Sequence, residues 1–175
     1  MGQQTQSQTE RAEGDLPLVE LFRHNLWANL RLLEACADLD EQQLAATVTG
    51  TYGSIYDTLT HILRAEQSYL RRLSGKQPEK PLAREDHPDV HALRAHAQYS
   101  GEGLIEVAAS VQPSDVLQVE WDDGRMVPVP ASLLLAQAIN HATEHRAQVM
   151  TILTQQGIEP PDLSGWQYAE ERASQ

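Results

Sequence analysis

The stretch Asn140-His141-Ala142-Thr143-Glu144-His145-Arg146-Ala147-Gln148 decides how this chain is read. It lies inside a helical pattern running from about Ala131 to Gln156, with Gly157 as its C-cap. His141 and His145 are four residues apart, so on an α-helix their rings share one face, with Cβ atoms roughly 5–6 Å apart. Two imidazoles so placed can hold one metal ion. Seven histidines among 175 residues make fewer than one such pair expected by chance. A second pair, His87 and His91, contains Pro88. The proline biases His87 out of helical geometry, and that pair reads as a loop entering a helix. From spacing alone, the 141/145 pair could equally be two histidines on the margin of an amphipathic helix.

Outward from this segment, the helical period recurs three more times. Asp15 with Pro17 marks a helix start. Leu18, Leu21, Phe22, Leu26, Leu30 and Leu33 follow at helical spacing and predict a helix ending near Ala37. Asn25 and Asn29 fall within its apolar arc, and a buried Asn needs partners, either in a polar cavity or in a core hydrogen bond. Residues 40–53, with Gly50 and Gly53, read as a connection. Ser54 with Asp57 three residues on predicts a capped start for a second helix. That helix carries Ile55, Leu59, Ile62, Tyr69, Leu70 and Leu73 and stops at Gly75. After a loop over about 76–88, Asp89 opens a third helix with Val90, Leu93, Ala97, Leu104 and Val107, despite Gly101 and Gly103.

Between Asp115 and Pro130 the period changes. Val116 to Trp121, the Asp122-Asp123-Gly124 turn and Arg125 to Val127 read as a hairpin. Two strands alone are marginal, so the ribbon must pack on the helices. The tail from Ile158, broken at Pro160-Pro161, is expected to close over the bundle through Trp166 and Tyr168. The fold class is therefore all-α: a four-helix bundle with a small β-hairpin inserted before the last helix. One domain is expected over 15–175, behind a polar tail, 1–14, expected to be disordered. The order of helices around the bundle is left open.

Composition narrows the function. A net charge of −12 disfavours nucleic acid as a partner. No apolar run reaches 18 residues, so no membrane span is expected. The first 14 residues show neither a secretory signal nor a transit-peptide pattern. Cys36 is the single cysteine, which allows no intrachain disulfide and fits a reducing cytoplasm. Its place near a helix end makes packing the expected role.

A catalytic metal commonly uses three protein ligands and keeps a position open. His61 is the best candidate for the third, because it lies inside the second helix. It sits on that helix's margin, nearer the polar side, which would put a metal in an open cleft rather than the deep core. A solvated helix histidine fits its position as well. His24, His87, His91 and His96 have no supporting geometry and read as surface residues. Gln137 and Gln148 share the stripe of His141 and His145 and could orient the rings or a bound water. Glu66 sits near the centre of an apolar arc. An unpaired buried carboxylate is costly, so a histidine, an arginine such as Arg146, or the metal is expected to meet it. His141 to Glu144-His145 also fits the inverted zinc-peptidase pattern. That fold needs a downstream acidic ligand in a much larger chain, and only residues 146–175 follow.

The chain resembles the DinB/YfiT-like superfamily of metal-dependent four-helix bundles, from about Leu18 to Tyr168. The resemblance is carried by Asn25-Leu26-Trp27-Ala28-Asn29, by Ser54 to Ile62, by Asn140 to Val149 and by Gly157-Ile158-Glu159-Pro160-Pro161. Ala147 stands where many members have Gly, which a helix tolerates. The resemblance implies that His61, His141 and His145 bind a divalent ion such as Zn²⁺ or Ni²⁺, and that the chain forms a homodimer. Characterised members include S-transferases that use bacillithiol, mycothiol or glutathione, and a thiol-dependent maleylpyruvate isomerase. Others are known as damage- or stress-induced proteins. The expectation is a metal-dependent enzyme acting on small molecules, foremost a low-molecular-weight-thiol S-transferase, with Asn29 and Gln148 orienting ligands or touching substrate and no general base assigned. The alternatives are a hydrolase that activates water on the ion, and a non-catalytic metal-binding stress protein.

Overall fold

The computed structural model describes residues 16–121 and 123–174. The expectations for the N-terminal tail and for Asp15 and Asp122 fall outside them. The elements in chain order are α1 (Pro17–Cys36), α2 (Glu41–Leu44), α3 (Ile55–Ser74), α4 (Val90–Ser110), β1 (Val116–Glu120), β2 (Met126–Pro130), α5 (Ala131–Gln155) and α6 (Gly165–Ala173). The fold is the expected all-α bundle of four long helices, with the hairpin before the last of them.

Local chemistry sets the boundaries. Pro17 opens α1, where its missing N–H is no loss. Ser54 and Asp57 close a reciprocal capping box on α3, and Gly75 ends that helix at φ 73°. The Asp89 carboxylate caps α4 by accepting from the Ala92 N–H. In the hairpin, Leu117, Val119, Val127 and Val129 form the half-buried face. Its strands lean on α3 and on the start of α5.

Around the bundle, α1 and α3 each pack against both α4 and α5. Two apolar clusters fill the interior. One holds Leu32 and Cys36, Ile55 and Leu63, Val90 and Leu93, and Ile152 and Leu153. The other holds Val19 and Phe22, Leu70, Leu104, and Leu135 and Ala138. The C-terminal halves of α1 and α5 thus share an end with the N-terminal halves of α3 and α4. So α1 and α5 run one way, and α3 and α4 run the other. The neighbours α3 and α4 are parallel, which needs a connection as long as a helix. A 20-residue helix spans about 30 Å, and the chain from Gly75 to Asp89 can cross it, since extended residues reach ~3.3 Å each. Leu82, buried in the first cluster, pins that connection midway.

Two short helices were not anticipated. Residues 40–53 contain α2, which is capped by Asp40 and Gln43 in a reciprocal box. The tail forms α6 on the outside of α1. Tyr168 packs against His24 and Trp27 with ring centroids 5.4 and 5.3 Å away. Trp166, expected to close over the bundle with Tyr168, instead points to solvent at 84% exposure. The reason is helical: two residues apart on α6, the rings face different directions.

Candidate metal centre

His61 projects from α3, and His141 and His145 project from the facing α5. The structure brings the three rings together, each offering a ring nitrogen within 4.8 Å of the others. His61 Nε2 and His141 Nε2 stand 2.9 Å apart, and the ring centroids are 4.4 to 4.7 Å apart. His145 is buried at 8% exposure, while His61 and His141 are half-buried.

Two features prepare these rings as neutral donors. Burial lowers the His61 pKa to about 4, helped by His141, His145 and the cations Arg64 and Arg84. Burial also lowers that of His141, with His145 adding to the effect and Glu144 opposing it. At neutral pH both rings are therefore uncharged, each with one unprotonated nitrogen, and one of them donates to the other across the Nε2–Nε2 contact. For His145 the tautomer is set by Gln148. The Gln148 Oε1 lies 3.0 Å from His145 Nδ1, and an amide oxygen can only accept. Nδ1 must carry the proton, which leaves the lone pair on Nε2. The same oxygen accepts the Tyr52 backbone N–H at 2.9 Å, so Gln148 is itself held. Three imidazoles with nitrogens this close are a donor set that fits one divalent ion.

Tyrosines flank the cluster. The Tyr52 ring is stacked on His61, with centroids 4.0 Å apart and planes 15° apart, and meets His145 edge-on at 5.3 Å. The Tyr69 ring stands edge-on to His141 at 6.1 Å. Sequence reasoning missed Tyr52. Its only local signal was an aromatic residue between Gly50 and Gly53 in a connection.

Asn29 does not reach the histidines. It joins a buried network to which all four long helices contribute. Glu66 on α3, 1% exposed, accepts from Asn25 Nδ2 and Asn29 Nδ2, each at 2.7 Å, and from Ser100 Oγ on α4 at 2.9 Å. Arg146 on α5, 4% exposed, donates through Nη1 to Asn25 Oδ1 and Asn29 Oδ1, again at 2.7 Å. The two amides thus bridge carboxylate and guanidinium. Burial raises the Glu66 pKa, against the pull of these hydrogen bonds and of Arg146. Burial lowers that of Arg146 to about 10, still charged at neutral pH. Glu66 therefore meets neither a histidine nor the cluster, and Arg146 only through the amides.

The other polar candidates divide. Gln137 is exposed and orients neither ring. His24 and His96, read as surface residues, are half-buried and bonded: His24 Nε2 to the Leu163 carbonyl at 2.9 Å, and His96 Nδ1 with Gln67 Nε2 at 3.0 Å. The tail reaches His24 and Gln67 of α3 reaches His96, neither of which helix periodicity reveals. His87 and His91 are exposed as expected.

Fold and cluster together define a class: helical bundles with a histidine cluster compatible with a divalent metal. Within that class the chain belongs to the DinB family, whose model matches residues 1–174. Among curated proteins it is similar to Protein DinB of Bacillus subtilis, 22% identical over 151 residues covering 79% of this chain and 85% of the relative. Among solved structures it is similar to a DinB-like protein from Bacillus cereus. That likeness has a TM-score of 0.63 at 17% identity, over 82% of this chain and 93% of the other. Among the described residues, no helix is long and apolar enough to cross a membrane.

Proposed function

We propose that this chain is a metal-dependent enzyme acting on small molecules, with His61, His141 and His145 as the ligands of one Zn²⁺ or Ni²⁺. We further propose that it transfers a low-molecular-weight thiol, such as bacillithiol or mycothiol, to an electrophile. The observation that carries the reading is the convergence of three ring nitrogens within 4.8 Å, with one tautomer set by Gln148. Because the ligands are neutral, the full charge of the ion is retained at the site. A divalent ion held there would supply a Lewis-acid position that favours the thiolate, the nucleophilic form of a thiol. The protein's own part is to keep His61 and His141 unprotonated, to fix His145 through Gln148, and to wall the cleft with Tyr52. The thiol choice rests on the family resemblance, as does the expected homodimer. The α1–α6 groove supports the dimer: a cavity of about 820 Å³ lined by Leu21, Tyr168 and Ala169 among others, with exposed Trp166 on the same short helix.

Elemental analysis of tag-free protein beside His61→Ala is the first test. About one Zn or Ni per chain, lost in the variant, is the expected result. Co²⁺-substituted protein should then change its visible spectrum on adding a thiol and conjugate that thiol to an electrophile. Turnover that needs no thiol would instead indicate hydrolysis. Absence of metal after reconstitution would leave a helical binding protein.

A further inference from the structure

We propose that Tyr52 is a positioning residue for this cluster, its ring favouring the metal-loaded state over the empty one. The proposal rests on the metal reading above. Tyr52 touches two of the three histidines, by different means: its face lies on His61, its edge meets His145, and its N–H shares the Gln148 oxygen with His145 Nδ1.

The loop that presents it is wound on its own bonds, and the Tyr52 N–H ties it to Gln148 on α5. The Thr51 hydroxyl donates to the Val48 carbonyl at 2.8 Å, the Thr47 hydroxyl donates to the Gly53 carbonyl at 3.1 Å, and the Ile55 N–H returns to the Ala46 carbonyl at 3.1 Å. Gly50, at φ 95°, makes the reversal possible. More than half of the Tyr52 surface remains in solvent, at 52% exposure. An aromatic ring so exposed contributes little to the core, so its fixed place over His61 calls for another account.

Ring electrostatics supply one. The face of a phenol carries negative potential. Against a neutral imidazole, a near-parallel stack gains mainly dispersion. A metal-coordinated imidazole gives up electron density and becomes partly cationic, and a cation over a tyrosine face is attracted to it. The same contact is thus stronger when the metal is bound, which raises metal affinity without an added ligand. The stacked ring also restricts rotation of His61 and keeps water off one of its faces.

Zn²⁺ affinity, measured by competition with a chromophoric chelator, tests this on wild type, Tyr52→Phe and Tyr52→Leu, with the melting temperature of each metal-free protein alongside. Tyr52→Phe keeps the face and should bind as wild type does. Tyr52→Leu keeps bulk and the backbone N–H but loses the face, and should bind about three- to tenfold more weakly at an unchanged metal-free melting temperature. Equal affinity in Tyr52→Leu overturns the proposal. So does a fall in Tyr52→Phe as large as in Tyr52→Leu, which would assign the effect to the hydroxyl. A metal-free melting temperature that drops with affinity would make the role structural and also overturn it. A wild type that binds no Zn²⁺ defeats the metal reading itself, so the wild-type titration tells the two failures apart.

Discussion

Arg146 donates both hydrogens of one nitrogen to two asparagine carbonyls, and those asparagines donate in turn to Glu66. Removing the cation strands two buried acceptors and a buried carboxylate. Each buried acceptor left without its donor typically costs about 1–3 kcal/mol, so Arg146→Ala should lose about 2–5 kcal/mol in urea denaturation. Gln148→Leu acts elsewhere. It frees the His145 tautomer, and loss of such a partner typically weakens metal binding about 10- to 100-fold, which chelator competition would read. Acid acts through His61, whose pKa falls from 6.5 to about 4 on folding. The unfolded chain takes up that proton near 6.5 and the folded protein only near 4, so the stabilisation is complete above 6.5 and is lost as pH falls through that window. Metal-free wild type should therefore lose more melting temperature between pH 7 and pH 5 than His61→Gln does. At this scale the sequence was partly legible. The polar positions Asn25, Asn29 and Glu66 on apolar arcs announced a buried network. Their common meeting point did not show, because it joins residues 41 and 37 apart along the chain.

Helix α4 is held close to two neighbours by its glycines. A Cβ on Gly101 would stand 2.5 Å from Leu26 Cδ1 and 2.9 Å from Leu26 Cβ, and one on Gly103 would stand 2.6 Å from Leu70 Cδ2. Alanine at either place gains up to ~1 kcal/mol of helix propensity, but overpacking costs about 1–3 kcal/mol. Gly101→Ala should therefore be net destabilising by about 1 kcal/mol or more in urea. Adding Leu26→Ala should recover part of that loss, a favourable coupling in a double-mutant cycle. These glycines argued against a helix in sequence, whereas their function is contact with α1 and α3, which no local pattern records. Caps were better signposts: Ser54 with Asp57, Asp89 and Gly75 stand where the pattern put them. The same grammar at Asp40 and Gln43 marks α2, a signal present but not read. Helix α6 follows Ser164, whose hydroxyl caps it, yet its docking depends on α1, far away in sequence.

Across the whole molecule, periodicity yields four helices and a hairpin but not their order, since the parallel α3–α4 pair is a matter of how far the 75–89 connection must travel. Burial governs the lone thiol as well. Cys36 is fully buried in the larger cluster, and desolvation pushes its pKa up to about 12. Only a thiolate reacts readily, so native protein should resist a disulfide reagent at pH 8 and react stoichiometrically once unfolded in guanidinium. The interior holds two unequal apolar clusters, and the charged layer of Glu66, Asn25, Asn29, Ser100 and Arg146 lies between them. Such a molecule need not open all at once. In native-state hydrogen exchange, amides around Val19, Leu104 and Leu135 should exchange through a partial opening of lower free energy than amides around Leu63 and Ile152. If the proposed site on α3 and α5 takes up zinc, the added ion should slow the second group far more than the first. The polar layer would then act as a firebreak, letting one end of the bundle breathe while the other stays shut.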